Sequence, residues 1–208
     1  MTTYKLNPIK AKEADTPKNQ RIDATGAYKG EFTLAKKIIA NSGTEGIEFT
    51  FQADTGATAS WLRLYLVKAD GTETFGHGLL MAAMTCMKVK QIDCEVVTVE
   101  EWDKNSNARV PVEVENYADL CNKPIGVLLQ KELKDFDKFQ MNIIGFFEAS
   151  TGLTATDILE KRPAGALDKK IASLKDNDKR TGDGGFSSPA APAAKPDAFA
   201  DFESDIPF

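Results

Sequence analysis

Apolar and polar residues alternate one by one in three stretches between residues 28 and 68, then switch to a spacing of three and four. Tyr28, Gly30, Phe32 and Leu34 interleave with Lys29, Glu31 and Thr33, the two-residue period of a half-buried strand. The run 41–46 (Asn-Ser-Gly-Thr-Glu-Gly) is a turn by composition. Ile47, Phe49 and Phe51 then alternate with Glu48, Thr50 and Gln52 as a second strand, and Asp54-Thr55-Gly56 predicts the next hairpin turn. Residues 57–68 form the third strand, with Leu62, Leu64 and Leu66 on one face and Trp61, Arg63 and Tyr65 on the other. After a turn at Asp70-Gly71, residues Leu79, Leu80, Ala83, Met84 and Met87 follow helical spacing and predict an amphipathic helix of about three turns.

The second half is less regular. The run Cys94–Val99 is β-prone, and Glu100–Arg109 is polar and reads as an outward loop, with Trp102, Lys104 and Arg109 offset by Glu100, Glu101 and Asp103. Tyr117–Asn122 reads as one helical turn. Two strands follow, with Ile125, Val127 and Leu129 alternating in the first and Phe139, Met141 and Ile143 in the second, joined at a tip formed by residues 135–138. Short helices are expected at 155–160 and 166–174, on either side of Pro163. From residue 176 the chain turns to Gly, Ser, Pro, Ala and Asp, a composition unable to bury enough surface to fold.

The order of three strands, a helix and two strands is that of an oligonucleotide-binding fold. The expected architecture is therefore mainly β: a five-stranded OB-fold-like barrel with a helix between strands 3 and 4 and a disordered C-terminal tail. Its divisions are an N-terminal arm at 1–24, a binding domain at 25–150, a short helical extension at 151–175, a linker at 176–198 and an acidic tip at 199–208.

Charge changes this picture little. The net charge is −5 over 208 residues, and from residue 181 onward one lysine stands against five acids, so the rest carries only −1. A near-neutral body leaves its cations free to gather on one face. An aromatic–cation–aromatic row on an outer sheet face is a platform for unpaired bases, each stack being worth roughly 1–3 kcal/mol. Trp61, Arg63 and Tyr65 are thus the leading DNA-binding candidates, joined by Lys29, Lys36, Lys88, Lys90, Trp102 and Arg109. The same row also suits an apolar layer covered by the arm or by a second copy.

The last eight residues, Asp-Phe-Glu-Ser-Asp-Ile-Pro-Phe, place apolar side chains in an acidic setting. Exposed Phe202 and Phe208 forgo hydrophobic free energy that a partner's pocket would recover, and Pro207 holds the final step extended. A terminal carboxylate beside Phe208 suits a basic pocket with an apolar floor. This ending resembles the acidic tip of bacterial single-stranded-DNA-binding proteins, although Glu203 and Ser204 stand where that family usually has Asp. The resemblance implies that Asp201, Phe202, Asp205, Ile206, Pro207 and Phe208 recruit replication, recombination or repair enzymes. The body, including Gly26-Ala27-Tyr28 and residues 43–49, is similar to phage- or plasmid-type members rather than to the bacterial housekeeping protein.

Other chemistries fare worse. A single histidine, His77, has no nucleophile elbow near it, and no Gly-x-x-x-x-Gly-Lys-Ser/Thr phosphate loop occurs. His77, Cys86, Cys94 and Cys121 are the right types for structural zinc, but no Cys-x-x-Cys pair is present and core thiols fit better. Neither a metal nor another cofactor is expected. No apolar run reaches membrane-spanning length and the N-terminus lacks a signal core, so a cytoplasmic protein (host cytoplasm if phage-encoded) without membrane partners is expected. The sequence thus predicts a non-enzyme that coats single-stranded DNA and recruits partners, with homo-oligomerisation left open. Two competitors are an accessory protein that uses the tip without coating DNA and a carboxylate–magnesium nuclease.

Overall fold

A computed structural model describes residues 20–180, apart from Asn105 and Asp137. The strands are β1 (Gly26–Ile39), β2 (Glu45–Ala53), β3 (Thr58–Val67), β4 (Glu95–Asp103), β5 (Ala108–Asn116), β6 (Pro124–Lys134), β7 (Lys138–Phe147) and β8 (Asn177–Asp178). Helix α1 (Phe75–Met87) follows β3, and a 3-10 turn spans Ala118–Leu120. Helices α2 (Ala155–Leu159) and α3 (Ala166–Ser173) lie in the extension expected to be helical.

The long strand β1 organises the sheet. Its first part pairs with β6, from Gly26 opposite Leu129 to Glu31 opposite Pro124. Its second part pairs with β2, from Gly30 opposite Ala53 to Ile39 opposite Glu45. Gly30 belongs to both ladders, and a Cβ there would stand 2.0 Å from the Gln52 carbonyl oxygen. Only glycine lets one strand change partners at that point. The ladders β2–β3 and β6–β7 extend the sheet at either side, giving the continuous antiparallel path β3-β2-β1-β6-β7.

Burial follows the two-residue period. Phe32, Ile47, Phe49, Phe51, Leu62, Ile125, Val127 and Leu129 are fully buried. Phe32 stacks obliquely on Phe49 at 4.4 Å and meets Phe51 and Phe146 edge-on. Helix α1 closes the core with Leu80, Ala83 and Cys86, one turn apart. Thr74 caps its start by accepting from Gly76 N.

The expected five-stranded barrel needs correcting in two respects. Eight strands form among the described residues, and the sheet stays open between β3 and β7, which lie close but share no ladder. At the head of β3, Thr58 N donates to Gln20 O and Ile22 N donates to Thr58 O, both at 2.8 Å. Residues 20–22 therefore use hydrogen-bonding groups that closure would need, and a bulge further along β3 disturbs its ladder.

The second correction is the segment expected to loop outward, which is instead the hairpin β4–β5. Val97, Val99, Val110, Val112 and Val114 share one face of it, with Thr98, Pro111 and Glu113 between them in sequence. The charges of Glu100, Glu101, Asp103 and Lys104 and the proline at 111 mask the strand signal. Pro111 is tolerated because β5 pairs with β1 only at Lys36–Asn116, leaving its outer part without a second neighbour among the described residues. Asn177 and Asp178, assigned by composition to the linker, pair in parallel with Glu132 and Leu133 of β6. No helix among the described residues is long and apolar enough to cross a membrane.

Candidate nucleic-acid interface

The outer face of β3 carries the predicted row. Trp61 is 62% exposed and Tyr65 40%, while Leu62 and Leu64 are buried behind them. Strict alternation would also put Ala59 outside with Trp61, yet Ala59 is buried. The ladder explains it: Phe49 pairs with Leu62 and Phe51 with Ala59, so β3 holds one extra residue at Ser60-Trp61. At this bulge Trp61 takes φ +58°, a left-handed conformation that an aromatic residue rarely adopts. Both Ser60 and Trp61 thereby turn outward.

Around Trp61 the fold gathers residues that sequence reading had not placed in the site. A groove of about 260 Å³ is lined by Arg21, Trp61, Arg63, Lys134, Lys138 and Phe139, with no carboxylate among the described residues that line it. Arg21 arrives because residues 20–22 run along the head of β3. Its guanidinium carbon sits 4.4 Å from the Phe139 ring centroid, and Lys131 Nζ sits 4.7 Å from it. Lys134 and Lys138 come from the β6–β7 tip, where Lys134 Nζ donates to Gln140 Oε1 at 2.6 Å. Phe136 stands 91% exposed at that tip. The interleaving of Lys131, Lys134, Phe136, Lys138 and Phe139 was visible in the sequence, but there it reads as a strand, a turn and a strand.

Arg63 joins this groove to a second, wider one. Its Nε donates to Glu48 Oε2 at 2.7 Å, and Glu48 is its cross-strand partner on β2. The hydrogen bond to Glu48 is the main reason the guanidinium pKa is raised, so Arg63 stays charged at any working pH. Lys36 continues the row beyond Glu48 on β1, but its Nζ is held 2.5 Å from Glu101 Oε1. Lys36 stands opposite Asn116, and Asn116 opposite Glu95. Glu101 lies about 20 Å of strand further along β4, so the hairpin leans back toward β1. Because Glu101 faces Lys36, Trp102 projects from the other face of β4, with Arg109 as its cross-strand partner. The structure thus separates Trp102 and Arg109 from the groove.

The remaining candidates are dispersed. Lys29 is exposed on β1 beside the turn after β2, where its carbonyl accepts from Asp54 N. Lys88 ends α1 in a left-handed cap and pairs with Glu148 at 2.7 Å, just beyond the opposite end of β7 from Lys138. Lys90 is exposed in the same α1–β4 connection. Asp201, Phe202, Asp205, Ile206, Pro207 and Phe208 lie outside the described residues.

The zinc alternative finds no geometry among the described residues, where no group of three or more His, Cys, Asp or Glu stands ready to hold an ion. His77 Nδ1 lies 3.4 Å from Glu73. Cys86 is buried, which pushes its thiol up to about 12. Cys121 is also buried, while Cys94 is exposed.

No protein-family model matches this chain, and no curated protein matches it.

Proposed function

We propose that this chain is a non-catalytic single-stranded-DNA-binding protein with an oligonucleotide-binding fold, and that its acidic tip recruits enzymes of replication, recombination or repair. The observation that carries the reading is the groove in which Arg21, Arg63, Lys134 and Lys138 surround Trp61 and Phe139, with no carboxylate among the described residues that line it. Cations at that spacing neutralise phosphates, and exposed rings stack on unpaired bases, which every base offers and a duplex hides. The path β3-β2-β1-β6-β7 supports the fold assignment. It is the strand order of a partly open OB barrel, with the groove on strands and loops commonly used for oligonucleotides. On this reading the β4–β5 hairpin and β8 are additions to the five strands.

The test is a fluorescence titration of a Trp102→Phe variant, which leaves Trp61 as the reporter. Oligo-dT should quench it at low salt, with affinity falling as salt rises, and duplex DNA should compete poorly. The absence of any quench in dilute buffer would leave only an accessory role for the tip, and cleavage of the strand with magnesium would mark a nuclease.

A further inference from the structure

The wider groove has a build of its own. It encloses about 530 Å³, roughly twice the volume of the groove at Trp61, and shares Arg63 with it. Its walls come from Ile38, Ile39, Asn41, Ser42, Arg63 and Tyr65. Ile38, Gly46 and Tyr65 form one cross-strand row, Gly46 pairing with Ile38 on one side and Tyr65 on the other. A Cβ at Gly46 would stand 2.5 Å from the Leu64 carbonyl oxygen, so the middle of the row carries no side chain. Tyr65 and Ile38 therefore face each other across two strand spacings, about 10 Å between backbones. That is a slot for one planar ring, stacked on Tyr65 and backed by aliphatic carbon.

One end of the slot is polar. The turn 40–44 is closed by its backbone, Ala40 N donating to Thr44 O and Gly43 N to Ala40 O. Ser42 Oγ is engaged with Thr44 Oγ1 at 2.9 Å. The Asn41 side chain is exposed and makes no hydrogen bond among the described residues, so its donor and its acceptor are both available. At the other end Arg63 is charged and 46% exposed, within reach of a phosphate that links this slot to the groove at Trp61.

Resting on the single-stranded-DNA reading, we infer that this slot is a base-reading subsite for adenine: Tyr65 stacks the base, the Asn41 carboxamide pairs with its N6 amino group and N7, and Arg63 takes the adjoining phosphate. Between the purines, adenine sets the N6 donor beside the N7 acceptor, the pattern an asparagine amide matches, whereas guanine has two acceptors on that edge. The larger volume admits a purine. The groove at Trp61, whose wall is rings and cations, accepts any base. One position of the bound strand is thus discriminated while its neighbour is not.

The test measures dissociation constants for an eight-residue oligo-dT and for the same strand carrying one central dA, dC, dG or 7-deaza-dA. Wild type should bind the dA strand about fivefold tighter than the others, the low end for a bidentate contact. 7-Deaza-dA, lacking N7, should lose most of that gain. Asn41→Ala should equalise all five strands. Its unfolding midpoint should not move, because the turn does not use that side chain. Tyr65→Leu should weaken every strand about tenfold. Binding without a dA preference, or a preference that survives Asn41→Ala, overturns the subsite and leaves the general reading standing. Failure to bind any of the strands overturns both.

Discussion

Arg63 on β3 and Glu48 on β2 are direct cross-strand partners, with Nε 2.7 Å from Oε2 and the arginine side chain still 46% exposed. The carboxylate fixes the direction of the guanidinium without enclosing it. It also competes with any phosphate that approaches. Arg63→Ala should weaken oligo-dT binding and reduce the slope of log K against log salt by about 0.7, the value for one phosphate contact on a single strand. Glu48→Gln should do the reverse and tighten binding severalfold at low salt, through removal of a like charge. Titrations at four or five salt concentrations read both effects.

Trp61 combines an exposed ring with a left-handed backbone, and the two features separate by mutation. Trp61→Ala and Trp61→Gly both remove the stacking surface and should weaken oligo-dT binding by tenfold or more, about 1–3 kcal/mol. They should differ in stability. At φ +58° glycine is unstrained and alanine is not, so the Gly variant should be the more stable by about 1 kcal/mol in urea unfolding. Equal stabilities would argue against the bulge.

The acid response should centre on β6. Glu132, mostly buried, takes an ion pair from Lys179 at 2.8 Å and amide hydrogen bonds from Asn142 and Asn177. Its carboxyl pKa lies below the usual range, first because of Lys179. Glu148 is lowered chiefly by Lys88, and Asp157 by its Thr154 cap. A depressed carboxylate adds stability that is complete above the unfolded value, about 4.3 for Glu, and is lost as pH falls through the folded value. Glu132→Gln should cost about 1 kcal/mol at pH 7, a modest figure because Lys179 is largely exposed. It should also flatten the fall in stability below about pH 5. Chemical unfolding at stepped pH values checks this.

Deleting residues 199–208 should tighten DNA binding at low salt and abolish enzyme recruitment. The described residues end at Arg180, two beyond β8, whose partners Glu132 and Leu133 precede Lys134 of the groove. Acidic groups tethered there compete with phosphate for the same cations, and screening should erase the difference at high salt. A deletion with unchanged affinity in dilute buffer would show that the tip does not reach the groove.

Alternation and helical spacing alone were enough to locate β1, β2, β3, α1, β6 and β7 and to set Trp61, Arg63 and Tyr65 opposite the leucines, because side-chain direction in a strand follows from a period of two. The tip residues stand out in the sequence by chemistry alone, since apolar groups among acids need no fold to be conspicuous, and they lie outside the described residues. The hairpin β4–β5 was not legible, because the charges at 100, 101, 103 and 104 and Pro111 read as a loop and its one ladder position with β1 is a long-range contact. Nor was the Trp61 bulge, which only the register with Phe49 and Phe51 exposes. The groove itself depended on tertiary structure. Arg21, Phe139, Lys134 and Lys138 lie some 40 to 80 residues from Trp61 in the chain, and local preference carries no information about which distant segments a sheet brings side by side. Sequence set which residues face outward; the pairing of strands decided which of them share a surface.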